Sequence, residues 1–380
     1  MGPKSGSKGY ALEELLRLYF LQSGYFVLRG LPYTIDGEDI TDVDLWLYER
    51  PAATTRRRSI VDIKNKKTPK SAERVVWTKG LQEALSVDTA FVATTDKRAP
   101  VKRLAKKLGV ILLDGEVTGK LSSSEKIKDD DRISGEDFDL LVKDVDQSRR
   151  SKEWRNHLDD TQRSLLTSFG FQSANQSLNT CAYFGEQALT GQPNSKLVTT
   201  AARLFYLSAA IVAISLDFVV ADAAFRSPEE RQQLLIEGLR FGQSDDVSSL
   251  NTVKMAIALA KQYAESGAGV AKQIESKFLS DANRIPAEII AEFVAKVSAR
   301  DQLFNSAREL EKAAFATRSP TFDSLSTETK AFLGSVLDFH GQSRERFAAA
   351  WQSKGPTASV SPPSEPKDGM DRLGPLFIKR

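Results

Sequence analysis

Residues 40–67 read ITDVDLWLYERPAATTRRRSIVDIKNKK. Two segments with strand character, 41–48 and 59–65, flank a connection over 51–58, and the pattern is that of a hairpin. Alternate residues of a strand share a face. Asp42 and Asp44 therefore project together from the first segment, and Asp62 and Lys64 from the second, while Val43, Leu45, Leu47, Val61 and Ile63 take the opposite faces. Carboxylates and a lysine set into apolar strands are unfavourable to bury without partners. Either a metal site or an ion-pair network is expected there.

Upstream, residues 10–22 carry Leu12, Leu15, Leu16, Tyr19 and Phe20 at helical spacing, with Glu13 and Glu14 near the start and Ser23-Gly24 as the stop. A short strand is expected over 25–29 and a loop with Pro32 over 30–37. Downstream, a helix is expected over 71–85 with Ser71 as its cap, a buried strand over 89–95, a basic helix over 100–108 and a last strand over 110–113. The resulting order, αβββαβαβ, mixes a hairpin with helical crossovers. It predicts an α/β domain at 1–115 with a mixed sheet between helices.

The character then changes. Residues 116–137, with Ser122-Ser123-Ser124 and Asp129-Asp130-Asp131, read as a polar linker. Residues 138–352 read as an all-helical domain punctuated by Pro193, Pro228, Gly242, Gly267, Pro286 and Pro320. Residues 353–380 have the composition of a disordered tail, with an apolar end, LGPLFIKR. The apolar run at 204–225 matches a membrane span in length, but Asp217 and Asp222 within it are unfavourable in lipid. A buried core helix is the reading adopted. The polar start, MGPKSGSKGY, has no apolar segment of a secretory signal, so a cytoplasmic location is expected.

Composition narrows the chemistry. Cys181 is the single cysteine, and His157 and His340 are the only histidines. A disulfide framework and a cysteine-rich zinc site are thereby excluded. A metal would have to be held by oxygen, which favours Mg²⁺, Mn²⁺ or Ca²⁺. The net charge of +3 is uneven: residues 1–114 hold 20 Lys and Arg against 14 Asp and Glu, the remainder 33 against 36. The basic excess lies in the half with the 40–67 stretch, as expected for a polyanion partner. No glycine-rich phosphate loop ending in Lys-Ser/Thr is present, so no ATPase is built in by that motif.

Asp44 followed by Asp62-Ile63-Lys64 resembles the PD-(D/E)XK nuclease superfamily, the restriction-endonuclease-like fold. The finer resemblance, over residues 10–115, is to Mrr-like restriction endonucleases and Holliday-junction-resolvase-like relatives. It rests on LEELLRLYFLQSGYFVLRG, on Asp42-Val43-Asp44-Leu45, and on DTAFVATTDKRAPVKRLAKKLGVILLDG. Asp62 stands where Glu or Gln is commoner, and Gln82 corresponds loosely to a glutamine of some members. The resemblance implies a Mg²⁺- or Mn²⁺-dependent endonuclease hydrolysing DNA phosphodiesters in bacterial defence, restriction or DNA processing. It implies that Asp44, Asp62 and the Ile63 carbonyl hold the metal, that Glu13 completes the site, and that Lys64 positions the nucleophile. The basic residues Arg56, Arg57, Arg58, Lys66, Lys67 and Lys70 flank the motif in sequence and are expected to touch nucleic acid. DNA is the expected substrate, with RNA left open. A homodimer is a candidate assembly, and the helical domain or the tail would serve a protein partner. The alternative reading is a non-catalytic nucleic-acid-binding or assembly subunit on a nuclease-like fold.

Overall fold

Residues 38–64 supply two adjacent strands of a five-stranded sheet. The computed structural model describes residues 5–64, 70–124, 127–242, 249–297, 301–318 and 320–351. Helix α1 (Ser5–Gln22) leads into β1 (Phe26–Ile35), β2 (Glu38–Glu49) and β3 (Arg57–Lys64). Then follow α2 (Ser71–Ala84), β4 (Thr89–Thr94), α3 (Ala99–Leu108) and β5 (Ile111–Leu113). This is the αβββαβαβ order read from the sequence. The strands lie in the order β1-β2-β3-β4-β5. They run antiparallel from β1 to β3 and parallel from β3 to β5, because short loops join the first three and helical crossovers the last three.

The expected loop over 30–37 is instead strand. β1 runs through Gly30 and Pro32, and the turn is Asp36-Gly37, both at positive φ (51° and 85°). Two such residues make the tight turn whose twist suits a hairpin. Pro32 is tolerated because β1 is the edge strand, where a missing N–H is not felt. Ser71 does not cap α2. Its hydroxyl bonds Thr94 Oγ1 at 2.8 Å, and the N-cap is Lys70, with no side-chain bond.

The two faces of the sheet alternate as period two requires. Val27, Leu45, Leu47, Val61, Ile63, Phe91 and Ala93 pack on Leu12, Leu16 and Phe20 of α1. Phe26, Leu28, Trp46, Tyr48, Ile60, Ala90 and Val92 face the other way, into a core shared with α2, α3 and the helices that follow.

Those helices begin inside the expected linker. α4 (Gly115–Ser122) is capped by the Asp114 carboxylate, which accepts from Glu116 and Val117 N–H. Next come α5 (Gly135–Arg149), α6 (Glu153–Thr167), α7 (Phe171–Thr190), α8 (Lys196–Ala221) and α9 (Pro228–Phe241). They are followed by α10 (Ser249–Tyr263), α11 (Gly267–Ala282), α12 (Ala287–Val297), α13 (Gln302–Phe315), α14 (Thr327–Phe339) and α15 (Arg344–Ala350). All six breakers fall at helix ends or in the connections between helices. Pro228, for instance, opens α9 behind a capping box in which Ser227 N–H donates to Glu230 Oε2 at 2.8 Å. The tail at 353–380 lies outside the described residues.

Helix α8 is the one described helix long and apolar enough to cross a membrane, with a mean hydropathy of 2.2, and 89% of that apolar window is buried in the protein. It is the core helix expected. Its Asp217 is fully buried and accepts from Tyr48 Oη at 2.7 Å, from Arg50 Nη1 at 2.8 Å and from Arg56 Nη2 at 3.0 Å. The β2–β3 hairpin is thereby tied to the helices. A second buried cluster ties α1 to α13: Arg17 Nη2 donates to Glu311 Oε1 at 2.9 Å, and Arg132 Nη1 to Glu311 Oε2 at 3.1 Å. The guanidinium carbons of Arg17 and Arg132 also lie 3.8 and 4.6 Å from the centroid of the Phe315 ring. Sheet and helices therefore share one core and two charged ties.

Candidate active site

The site begins where two strands part. β2 and β3 pair from Glu49–Arg57 to Leu45–Val61 and no further, while β2 continues along β1 and β3 along β4. In the gap, Asp44 Oδ2 accepts the Ile63 N–H at 2.6 Å in place of a ladder bond. A strand residue's N–H and C=O point to the same side, so the Ile63 carbonyl faces the gap as well. Lys64 Nζ stands 4.0 Å from Asp44 Oδ2 and 4.0 Å from Asp62 Oδ1. Asp44, Asp62 and Lys64, 20 positions apart at the extremes, thus meet at one end of the sheet.

Glu13 on α1 is half-buried and lies within electrostatic reach of this group. Burial raises its pKa, while Arg29 and Lys64 lower it. Burial also pushes the Asp44 carboxyl up to about 6; the Ile63 N–H and Lys64 oppose this, and the charges of Asp62 and Glu13 add to it. Glu14 turns elsewhere. Its Oε2 accepts the Gly135 N–H at 3.2 Å, and it pairs with Arg17 at 3.4 Å, so it fastens α1 to α5. Asp42 is exposed on the hairpin. Gln82 is buried and holds the turn into β4 by donating to the Asp88 carbonyl at 3.0 Å.

The most consequential side chain is Arg74, in the first turns of α2. Its Nε donates to Asp62 Oδ2 at 2.9 Å and its Nη2 to Asp62 Oδ1. Both oxygens of Asp62, itself only 8% exposed, are therefore held in a guanidinium fork. The signal for this contact was the short crossover from Lys64 to Ser71, which returns α2 over the end of β3.

The basic residues divide. Arg56 is corrected: it is buried, pairs with Asp217 and donates to the carbonyls of Ala52, Ala53 and Thr55, so it does not face a ligand. Arg58 is half-buried. It donates to the Ser86 carbonyl at 2.6 Å and lies over the rings of Phe218 and Phe169. Arg57 is exposed, with Glu49 at 3.9 Å. It is five residues from Asp62 along β3, about 16 Å at strand rise. Nearness in sequence misled here because a strand carries its ends apart. Lys70 is exposed beside the start of α2 and pairs with Glu73 at 3.2 Å. Lys66 and Lys67 lie outside the described residues. Trp46, two residues from Asp44 on the same strand face, is fully buried against Tyr48 and Phe169 and does not line the site.

Asp44, Asp62 and the Ile63 carbonyl form a hard-oxygen donor set suited to Mg²⁺ or Mn²⁺. The raised pKa of Asp44 marks a carboxylate short of positive charge, which a cation would relieve. Among the described residues, however, no three His, Cys, Asp or Glu side chains group as a metal cluster. The residues fit a cation held by two carboxylates and a carbonyl, provided Arg74 leaves Asp62. A scan of protein-family models, a search of curated proteins and a search of solved structures each returned no match to this chain.

Proposed function

We propose that the chain is a metal-dependent endonuclease hydrolysing phosphodiester bonds in DNA, in bacterial defence, restriction or DNA processing. One observation carries the reading: Asp44, Asp62 and Lys64 converge in the gap between β2 and β3. A divalent cation bound there would supply an activated water and shield charge on the phosphate. Asp44, Asp62 and the Ile63 carbonyl would hold it. The Ile63 N–H fixes Asp44 Oδ2 and so orients the carboxylate. Lys64, one-third exposed between the two acids, puts a fixed positive charge where a phosphate oxygen would rest. Glu13, half-buried on α1 within electrostatic reach of Lys64 and Asp44, would orient water.

The test is incubation of the protein with plasmid, linear duplex, single-stranded DNA and RNA in Mg²⁺, Mn²⁺ or EDTA. Cleavage is expected with a divalent cation and is expected to fall by at least about 10²-fold in Asp62→Ala and Lys64→Ala, the scale for losing a charge-stabilising group. Absence of cleavage by the wild type with every substrate and cation refutes the enzyme reading.

A second reading has its own observation. Arg74 already neutralises Asp62, as in a permanent structural ion pair. A nucleic-acid-binding or assembly subunit on the same fold would look like this. It predicts DNA binding that is unaffected by EDTA, with no cleavage.

A further inference from the structure

We propose that Arg74 is a built-in counter-ion of the metal site: it occupies Asp62 while no cation is bound and passes to a substrate phosphate when a cation displaces it. The inference rests on the nuclease reading and deepens it.

Asp62 is the acid at which the competition is sharpest. Its side chain is 9% exposed, so it needs a positive partner at all times. Lys64, at 4.0 Å, is too far for a hydrogen bond. Arg74 supplies the partner, and its planar fork takes both oxygens. Those are the lone pairs a divalent cation would use, and the guanidinium would also repel that cation. Binding of the two is therefore mutually exclusive, or nearly so, at this carboxylate.

Arg74 also has somewhere to go. Its side chain is 28% exposed, unlike the fully enclosed arginines at the two charged ties. Its guanidinium carbon already lies 5.9 Å from the centroid of Trp77, which is 44% exposed on the next turn of α2. A short swing on that side keeps the charge beside the gap, where it can form a bidentate contact with a phosphate. Displacement thus converts a lock on the acid into an anion contact. A purely structural Arg74 predicts the opposite sign: removing it would disorder Asp62 and weaken cation binding.

The experiment is titration of Mn²⁺, by calorimetry and by paramagnetic resonance, into wild type, Arg74→Ala, Arg74→Lys and Asp62→Asn, without DNA. The proposal expects Arg74→Ala to bind Mn²⁺ tighter than wild type by about tenfold, a change of about 1.4 kcal/mol. Asp62→Asn should lose the site. Arg74→Lys, whose single ammonium cannot fork both oxygens, should shift in the same direction and serves if the alanine variant does not fold. In parallel, anisotropy with a short duplex in Ca²⁺ should show Arg74→Ala weakened on the order of tenfold, the scale of a lost charged contact. Trp46, Trp154 and Trp351 are buried. Mn²⁺ should therefore change emission mainly through Trp77, and Trp77→Phe should abolish that change.

Equal or weaker Mn²⁺ binding by Arg74→Ala and Arg74→Lys overturns the counter-ion role and leaves the nuclease reading standing. Tighter Mn²⁺ binding with unchanged duplex affinity overturns the transfer to phosphate. Failure of wild type and both Arg74 variants to bind Mn²⁺ overturns the proposal and the nuclease reading together.

Discussion

Replacing Asp217 with alanine tests how sheet and helices are joined. The carboxylate is fully buried and faces Tyr48, Arg50 and Arg56, and both arginine side chains are only 2% exposed. Removing it takes the acid from Arg56 and leaves buried Arg50 with the exposed Asp301 at 3.4 Å. Breaking one side of a buried pair is destabilising by about 3–5 kcal/mol. A chain of 380 residues has an unfolding entropy of about 0.8 kcal/mol per degree, so the midpoint should fall by about 4–6 °C. Asp217→Asn keeps the shape without the charge and should behave similarly. The triple variant Asp217→Leu with Arg50→Met and Arg56→Met should recover most of the loss, because apolar side chains replace the whole charged group. The assay is thermal and urea unfolding followed by tryptophan emission, for which Trp46 is a local reporter, stacked 6.1 Å from Tyr48. A loss below about 1 kcal/mol for Asp217→Ala, the range of an exposed pair, would refute the reasoning. So would a triple variant no more stable than the single one.

Acidification in EDTA should act on two groups with opposite signs. Asp44 has a folded pKa raised to about 6 from 3.8, so the folded state takes up its proton first. Its contribution to stability is gained as pH falls through that window and lost as pH rises through 6. His340 is the reverse: burial lowers it to about 4 from 6.5, so stability is lost as pH falls from 6.5 towards 4. Each difference is on the order of 3 kcal/mol at full extent, and urea midpoints of Asp44→Asn and His340→Gln against wild type, from pH 7.5 to 4, should separate them. Gly238 of α9 lies against the Phe171 ring so closely that an added Cβ would overlap it. Gly238→Ala should therefore destabilise by about 1–3 kcal/mol through overpacking, measured by the same unfolding curves, whereas the open Gly269 should tolerate alanine with little change.

Local patterns carried most of the fold. Period-two apolar runs placed β2, β3 and β4 within two or three residues of their ends, and proline and glycine placed the helix boundaries. Asp44, Asp62 and Lys64 were legible as a group because charge is rare in apolar strands, whereas Glu13, on a helix, was singled out by the family resemblance alone. What escaped was long-range. Pro32 reads as a loop residue until β1 is known to be an edge. Arg56 reads as a ligand contact until its partner, 161 residues away, is known. A sign was nonetheless present: Asp217, set among apolar neighbours in the C-terminal part of α8, requires buried cations somewhere in the chain. Arg74 lay between these cases, since a helix returning over β3 was foreseeable but the side chain's choice of Asp62 was not.

Helix α8 has a consequence for synthesis. It is apolar on every side, and α13, one of its principal covers, begins roughly 80 residues after it ends. At about 5–20 residues per second, α8 leaves the ribosome roughly 4–16 s before α13 does. During that interval the nascent chain displays a stretch as greasy as a membrane anchor. Sheet and α7, already emerged, can cover only part of it. The chain is most open to capture by chaperones or targeting factors just then, so translation speed between α8 and α13 bears directly on yield.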